Sequence, residues 1–384
     1  MVIKLICLEI SYTLVFNTNE YLFHIWNKTM MQPFYVFPPR LRQKEKSIHP
    51  IFIPFAGCAT RCIFCAQEVQ SGQKSQNIKD IYASIEKQLL LNLPDKNPEH
   101  NSEIAFFGGT FTCLPKFWQE KWLKLISVYT QQEIFSGIRC STRPDAVGYD
   151  HLVWLKQQGM QTIELGVQSF DNAALALANR GYTGEIAEQA CKLVVKAGLN
   201  LVIQLMPGLP GCTPEVFAQD IARTIALRPS AVRIYPCLVL KGTQLANMWQ
   251  QGLFKPWALQ ETETHLGSAL YKLWQENIPV IRVGLAPEPG LEENILAGPW
   301  HPALGCAVQG QALYLWVREK LSKLPGNVSA LNIPKSSQGA FWGIKGALKP
   351  AYEALGIKKN NVTFWDWPIW RFDMNLEQQS NYNE

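Results

Sequence analysis

Cysteine is sparse in this chain, ten residues among 384, so a fold stapled together by disulfides is excluded. A strong excess of either charge is missing too. The 36 basic and 31 acidic residues leave a net charge of +5, which permits an anionic partner without demanding one. Long apolar runs are also lacking. The N-terminal stretch is apolar, but Lys4 and Glu9 interrupt it and no small-residue cleavage site follows. It is expected to be neither a signal peptide nor a membrane span, and the chain is expected in the cytosol, with no membrane partner. No internal repeat occurs, and the polar tail after Asn375 is the only low-complexity stretch. Charged residues at 17% and apolar residues at 47% describe a globular chain rather than a disordered one. The length suits one large or two ordinary domains.

The placement of the cysteines carries more than their number. Cys58, Cys62 and Cys65 cluster, while Cys7, Cys113, Cys140, Cys191, Cys212, Cys237 and Cys306 are scattered through apolar surroundings. Clustered thiols in an enzyme-sized chain point to a metal and to a reducing compartment.

Residues 1–31 differ from the rest. Met30 and Met31 precede a proline-rich, basic stretch over 33–46, so a natural start at either methionine would leave 1–29 as an upstream extension. The organisation expected is an N-terminal extension over 1–49, a core domain over 50–285 and a C-terminal covering region over 286–384. In the core, short β-rich runs at 51–55, 104–107, 138–141, 162–167, 199–206 and 232–236 alternate with segments of helical period. The helices are predicted over 78–93, 117–131, 150–158, 186–197 and 214–226, with Gly159 and Gly198 as stop signals. Six such repeats predict parallel strands joined by right-handed crossovers, as an open sheet or as a partial barrel. A further helix over 262–276 and a strand over 280–285 follow. Beyond Ala286 the chain reads as irregular, apart from a helical piece near 309–321 and an aromatic cluster over 364–370.

The strongest motif is Cys58-Ala59-Thr60-Arg61-Cys62-Ile63-Phe64-Cys65, directly after the first strand run. Three thiolates on one loop can hold three irons of a cubane cluster and leave the fourth iron without a protein ligand. An open coordination site is what a catalytic metal requires. A structural zinc would want a fourth Cys or His at recognisable spacing, and none follows. Packed cysteines or a zinc site are the alternatives.

This CxxxCxxC spacing, with an aromatic residue before the last cysteine, resembles the radical S-adenosylmethionine (SAM) superfamily. The resemblance implies a partial (βα)6 TIM-type barrel with a C-terminal extension, and a [4Fe–4S] cluster held by Cys58, Cys62 and Cys65. It also implies SAM bound to the open iron and cleaved reductively to a 5′-deoxyadenosyl radical. Phe106-Phe107-Gly108-Gly109-Thr110-Phe111-Thr112 looks like the family's glycine motif, which implies Gly108 and Gly109 beside the SAM amino group. Gly166-Val167-Gln168-Ser169-Phe170 and Asn179-Arg180-Gly181-Tyr182 resemble the oxygen-independent coproporphyrinogen oxidase and Elp3 branches. By position, Ser141, Gln168, Arg180 and Gln204 fall where such relatives place SAM contacts, and Phe64 would pack near the adenine. Arg180, permanently charged and able to bind bidentately, suits the SAM carboxylate. The porphyrin enzymes carry carboxylates where this chain has Ser141 and Gln204, which argues against porphyrin decarboxylation.

The closer match is the Elp3-like subgroup. It rests on Pro50 to Phe55 and Ser141-Thr142-Arg143-Pro144-Asp145, whereas Met206-Pro207-Gly208-Leu209-Pro210-Gly211 is shared in type with both branches. It rests also on Arg233-Ile234-Tyr235-Pro236, Gly242-Thr243 with Leu245, Ile281-Arg282-Val283-Gly284-Leu285 and Ala297 to Pro302. Elp3 proteins modify wobble uridines of tRNA with a radical SAM domain and an acetyltransferase domain. Only 99 residues follow Leu285 here, with no acetyl-CoA-binding glycine signature, so the resemblance is to shorter bacterial forms without that second half. The implied function is a radical SAM enzyme acting on an unidentified substrate, either RNA such as tRNA or a small metabolite. A flavodoxin or ferredoxin-type protein would donate the electron. A coproporphyrinogen oxidase-like enzyme and a non-catalytic iron–sulfur or RNA-binding protein are the alternatives.

Other residues have a chemical reading and a plainer one. Glu164 either orients SAM or substrate or is satisfied by a barrel arginine. Arg143 and Asp145 either serve the site or pair with each other. His301 either contacts substrate or is a packed loop histidine, and Cys113 and Cys140, near the expected active face, read by default as buried structural cysteines. Arg40, Arg42, Lys44 and Lys46 with the aromatic cluster around Trp365 suit RNA, or else a solvated linker and the cover of a sheet edge.

Overall fold

The computed structural model describes residues 2–7, 10–17, 20–25, 31–37, 47–71, 76–91, 102–288 and 290–375. The basic run from Arg40 to Lys46 lies outside them. The chain divides into two units, one formed by Arg42–Thr262 with Ile278–Pro302, the other by Met1–Leu41, Glu263–Asn277 and Ala303–Glu384.

The first unit is built on seven parallel strands: β1 Ser47–Phe52, β2 Ser102–Phe107, β3 Gly137–Thr142, β4 Met160–Gln168, β5 Asn200–Leu205, β6 Ala231–Ile234 and β7 Val280–Val283. Their order in the sheet is their order in the chain, with β1 and β7 at the two edges. Every neighbouring pair is parallel. Residues from both edge strands, Phe52 and Arg282, line a single cavity, so the sheet curls into the expected half-barrel. The run predicted at 280–285 joins the six repeats as a seventh strand.

The central strands of this sheet are largely buried and combine apolar residues with the charged Glu103, Arg139, Glu164 and Arg233. Ile104, Ala105, Phe106, Ile163, Leu165 and Ile203 are wholly buried. The helices Lys116–Gln131, Tyr149–Gln157, Gly184–Lys196 and Pro214–Leu227 alternate with the strands. Lys116–Gln131 buries Trp122, Leu123, Ile126 and Tyr129, one face of a 3.6-residue repeat. Thr183 and Thr213 accept hydrogen bonds from the first-turn amides of Ile186 and Val216, and Gly159 and Gly198 end their helices at φ of 93° and 73°.

The second unit contains more regular structure than the residues after Ala286 suggest. Trp370–Asn375 pairs antiparallel with Met31–Val36 on one side and with Asn327–Pro334 on the other, and Asn327–Pro334 pairs parallel with Val362–Trp365. The helix Leu304–Lys323 sets Leu313, Trp316 and Val317 into a core with Phe34, Phe341, Tyr352, Trp370 and Phe372. Met31–Val36 lies about 340 residues from its partner Trp370–Asn375, so no local pattern announces the pairing. Of the aromatic cluster, Trp370 is core, Trp365 donates its indole N–H to Ile369 O at 2.8 Å, and Trp367 is 65% exposed.

Candidate active site

After β1 the chain cannot continue as a strand. Pro54 follows Ile53, and Phe55 takes a left-handed φ of 57°, turning the backbone into the cysteine loop. The turn is tied internally: Ala56 N donates to Ile53 O, Cys58 N to Phe55 O and Cys65 N to Cys62 O, each at 3.1 Å. It is also tied to the loop after β2. Thr110 N donates to Ala56 O at 2.7 Å, and Cys58 Sγ lies 3.2 Å from Thr110 Oγ1.

The two glycines of that second loop have a specific role. A Cβ on Gly109 would lie 2.1 Å from Ala56 O, and Gly109 has φ of 40°. Glycine is required there first because the loop backbone presses on the cysteine turn, and only then because it faces the cavity. Gln67, in the short helix Gln67–Ser71, locks the arrangement, its Oε1 accepting from Phe55 N at 2.5 Å and Gly109 N at 3.0 Å. The sequence offered no signal for Gln67, since a glutamine two residues after a cysteine motif reads as an ordinary surface polar residue.

At the end of β4 the backbone is strained. Gln168 adopts φ of 66°, and the next turn is held by the buried Asp220, which accepts from Phe170 N at 2.7 Å and Ser169 Oγ at 2.8 Å. The residues after the short helix Asn172–Leu177 fold back on the cysteine loop. Asn179 Nδ2 donates to Arg61 O at 3.0 Å. Arg180 donates from Nη1 to Cys62 Sγ at 2.8 Å, from Nη2 to Gly166 O at 2.6 Å and from Nε to Tyr182 Oη at 2.9 Å. Tyr182 in turn donates to Gly166 O at 2.8 Å.

Burial opposes the charge on Arg180, yet Tyr182 and Cys62 hold its pKa above the ordinary value. Burial pushes the Cys65 thiol up to about 12, with Cys62 and Cys58 adding to the effect, so loading a metal there displaces a proton.

A layer of charge crosses the barrel interior beneath these loops. Arg139 donates from Nη1 to Glu164 Oε1 at 2.7 Å and from Nε to Glu103 Oε2 at 2.7 Å. Arg233 pairs with Glu164 Oε2 at 3.0 Å and donates to Tyr235 Oη at 3.1 Å. Both Glu164 oxygens are therefore paired with arginines, and the residue also lines the cavity. Arg143 likewise pairs with Asp145 at 2.7 Å. Cys140 is fully buried, while Cys113 is exposed; neither these two nor His301 lines the cavity.

The ten residues that the resemblance assigns to the cluster and to SAM converge on one cavity of about 340 Å³ at the C-terminal ends of the strands, where parallel α/β folds place ligands. Cys58, Cys62, Cys65 and Phe64 come from the loop after β1, and Gly108 and Gly109 from the loop after β2. Ser141, Gln168 and Gln204 come from β3, β4 and β5, and Arg180 reaches in from the loop beyond β4. Arg61, Gln67, Arg233, Tyr235 and Arg282 also line the cavity, and motif reading had given none of them a place in the site.

The donor set fits a cluster and a polar ligand. Among the described residues no three metal-ligating side chains close on one point as a single ion requires; a cubane, each of whose irons takes its own thiolate, does not need that closure. Gln168 Oε1 is buried without a protein partner among the described residues, an acceptor that a ligand's hydroxyl or amino group satisfies.

Residues 52–223 match the family model for the Radical SAM superfamily, and residues 229–312 match that for the Radical SAM C-terminal domain. The chain belongs to the radical SAM superfamily. It is 32% identical over 185 residues to the tRNA uridine(34) acetyltransferase of Methanocaldococcus jannaschii, an alignment that takes in 43% of this chain and 34% of that protein. It is 28% identical over 176 residues to Elongator complex protein 3 of Homo sapiens, covering 41% of this chain and 32% of the other. The matched segment thus spans about a third of these curated relatives. Among solved structures, Methanocaldococcus infernus Elp3 superposes with a TM-score of 0.52 at 23% identity, over 72% of this chain and 63% of that one, a likeness of fold.

Asp220 gives this radical SAM fold a pH dependence. Burial raises its carboxyl from 3.8 to about 6, against the hydrogen bonds from Phe170 and Ser169. The folded state therefore holds the proton more tightly than the unfolded chain. The stability from this group is full below pH 3.8 and is lost as the pH rises to about 6, a change of about 3 kcal/mol. An Asp220→Asn variant, neutral throughout, is expected to gain on the wild type by about that amount between about pH 4 and pH 7. Urea unfolding at the two pH values measures this, and a constant difference between the proteins would contradict it.

Proposed function

We propose that this protein is a radical SAM enzyme that cleaves SAM reductively and modifies tRNA. The observation that carries the proposal is the convergence of three thiols, a glycine turn and a buried arginine on one cavity. Cys58, Cys62 and Cys65 would hold the [4Fe–4S] cluster. Gly108, Gly109, Ser141, Gln168, Arg180 and Gln204 would surround SAM, with Phe64 against the adenine. When bound, cluster and SAM supply a low-potential electron and a carbon radical able to take hydrogen from an unactivated position.

The chain's own part is to orient and to exclude water. Arg180 touches Cys62 and Gly166 at once, tying the cysteine loop to the strand end that faces the ligand. The buried layer of Glu103, Arg139, Glu164 and Arg233 stiffens the floor, and its charges compensate within the protein. Ser141 and Gln204 present neutral groups where porphyrin-type relatives carry carboxylates, so a coproporphyrinogen oxidase reaction has less support.

The tRNA assignment is supported by the curated relatives, one of which is by name a tRNA uridine(34) acetyltransferase. A cytosolic setting and a flavodoxin or ferredoxin-type donor complete the proposal. It is tested with anaerobically reconstituted protein, SAM, dithionite and an unmodified tRNA transcript carrying uridine 34. The expected result is that tRNA stimulates 5′-deoxyadenosine formation and gains a mass change at that nucleoside. Equal 5′-deoxyadenosine with and without tRNA, and unchanged nucleosides, would contradict the tRNA assignment.

A further inference from the structure

Five guanidinium groups reach the cavity: Arg61, Arg143, Arg180, Arg233 and Arg282. Three are committed within the protein. Arg143 is paired with Asp145 and Arg233 with Glu164, and Arg180, bonded to Cys62, Gly166 and Tyr182, belongs to the proposed SAM pocket.

Arg61 and Arg282 differ from these. Arg61 is exposed, and its guanidinium stacks 4.2 Å from the centre of the Phe55 ring. Stacking orients the group and leaves its charge unneutralised. Arg282 is half-buried and uses only Nε, on Gly284 O at 3.3 Å. Neither has a carboxylate partner among the described residues, while the cavity's other arginines do or are buried.

Their positions in the sheet give this surplus a shape. Arg61 sits in the loop after β1 and Arg282 on β7, the two edge strands, which do not pair with each other. The gap between those edges is the opening of the half-barrel. Arg61 thus belongs to one edge of the opening and Arg282 to the other. A chain with regularly spaced phosphates meets both, and a guanidinium fork suits a phosphate bidentately.

We infer that Arg61 and Arg282 form a two-point phosphate clamp, seating an RNA backbone on either side of the nucleotide that enters the cavity. The inference rests on the tRNA-directed reading above and names the residues that give it register. Arg61 lies between Cys58 and Cys62, and the Phe55 on which it stacks is fixed by Gln67. The RNA is therefore held by the same turn that carries the cysteines, which sets the distance from the backbone to the reacting group.

The test measures binding of an unmodified tRNA transcript to the full-length, cluster-loaded protein over a range of salt, beside its SAM affinity and iron content. Arg61→Gln and Arg282→Gln are each expected to weaken tRNA binding about fivefold near about 0.15 M salt. Each should also reduce the slope of log affinity against log salt by about 1, with Arg282→Lys restoring the slope. Wild-type affinity and slope in both variants would overturn the inference. So would a parallel loss of SAM affinity, which would assign the arginines to the cofactor. Arginine-dependent tRNA binding without any tRNA-dependent product would instead overturn the proposed reaction and leave the clamp standing.

Discussion

Glutamine in place of Glu164 is expected to destabilise the protein by about 3–5 kcal/mol, the usual result of removing one partner from a buried ionic group. Glu164 is 1% exposed, and its two oxygens serve guanidiniums from two different strands. The amide would leave Arg139 and Arg233 facing each other with only Glu103 beside them, and Glu103 already accepts both Nε and Nη2 of Arg139. Arg233 would keep Tyr235 and the face of Phe107, 5.4 Å away, which do not balance a charge. Denaturant unfolding is the measurement. A loss below about 1 kcal/mol would mean that the layer is solvated and Glu164 available for chemistry.

Alanine at Gly109 is expected to cost about 3 kcal/mol or more and to take the cysteine loop with it. The added methyl would meet Ala56 O at 2.1 Å, Ala56 N at 2.8 Å and Ile53 O at 2.9 Å, all backbone atoms that no rotamer change relieves. Relief requires the second loop to move away, breaking the bonds of Thr110 N to Ala56 O and of Gly109 N to Gln67. Gly242 makes the control, because its φ of 76° is as left-handed but its Cβ would meet open space. Gly242→Ala should cost only about 1 kcal/mol, with full iron uptake. Equal losses in the two variants would show that backbone conformation, not loop packing, is the constraint.

These two variants also mark where the sequence was readable. The βα rhythm is local, so strands and helices came out within a few residues of their positions. Exceptions arose where a tertiary turn intervenes, as at Ile53 to Gly57, which ends β1 before the predicted residue 55. The sheet of the second unit was not readable, because Met31–Val36 and Trp370–Asn375 find each other only through a shared core. In the site, motif residues were visible because their types are unusual: clustered cysteines, paired glycines, an arginine in a polar loop. Gln67, Arg139 and Asp220 are ordinary residues whose meaning lies in what they touch, and spacing does not encode that. The glycine pair shows a finer difference. Its location was legible, while its first duty, clearance for the cysteine turn, required the geometry.

The central claim is that three thiols on one loop hold a cluster that cleaves SAM in this cavity. It is tested most directly by reconstituting wild-type and Cys62→Ala proteins anaerobically with iron and sulfide, then quantifying iron and 5′-deoxyadenosine after SAM and dithionite are added. The account predicts four irons per chain and 5′-deoxyadenosine in the wild type, with both lost in the variant. A wild type that carries its full cluster and binds SAM, yet releases no 5′-deoxyadenosine with or without tRNA, would contradict it.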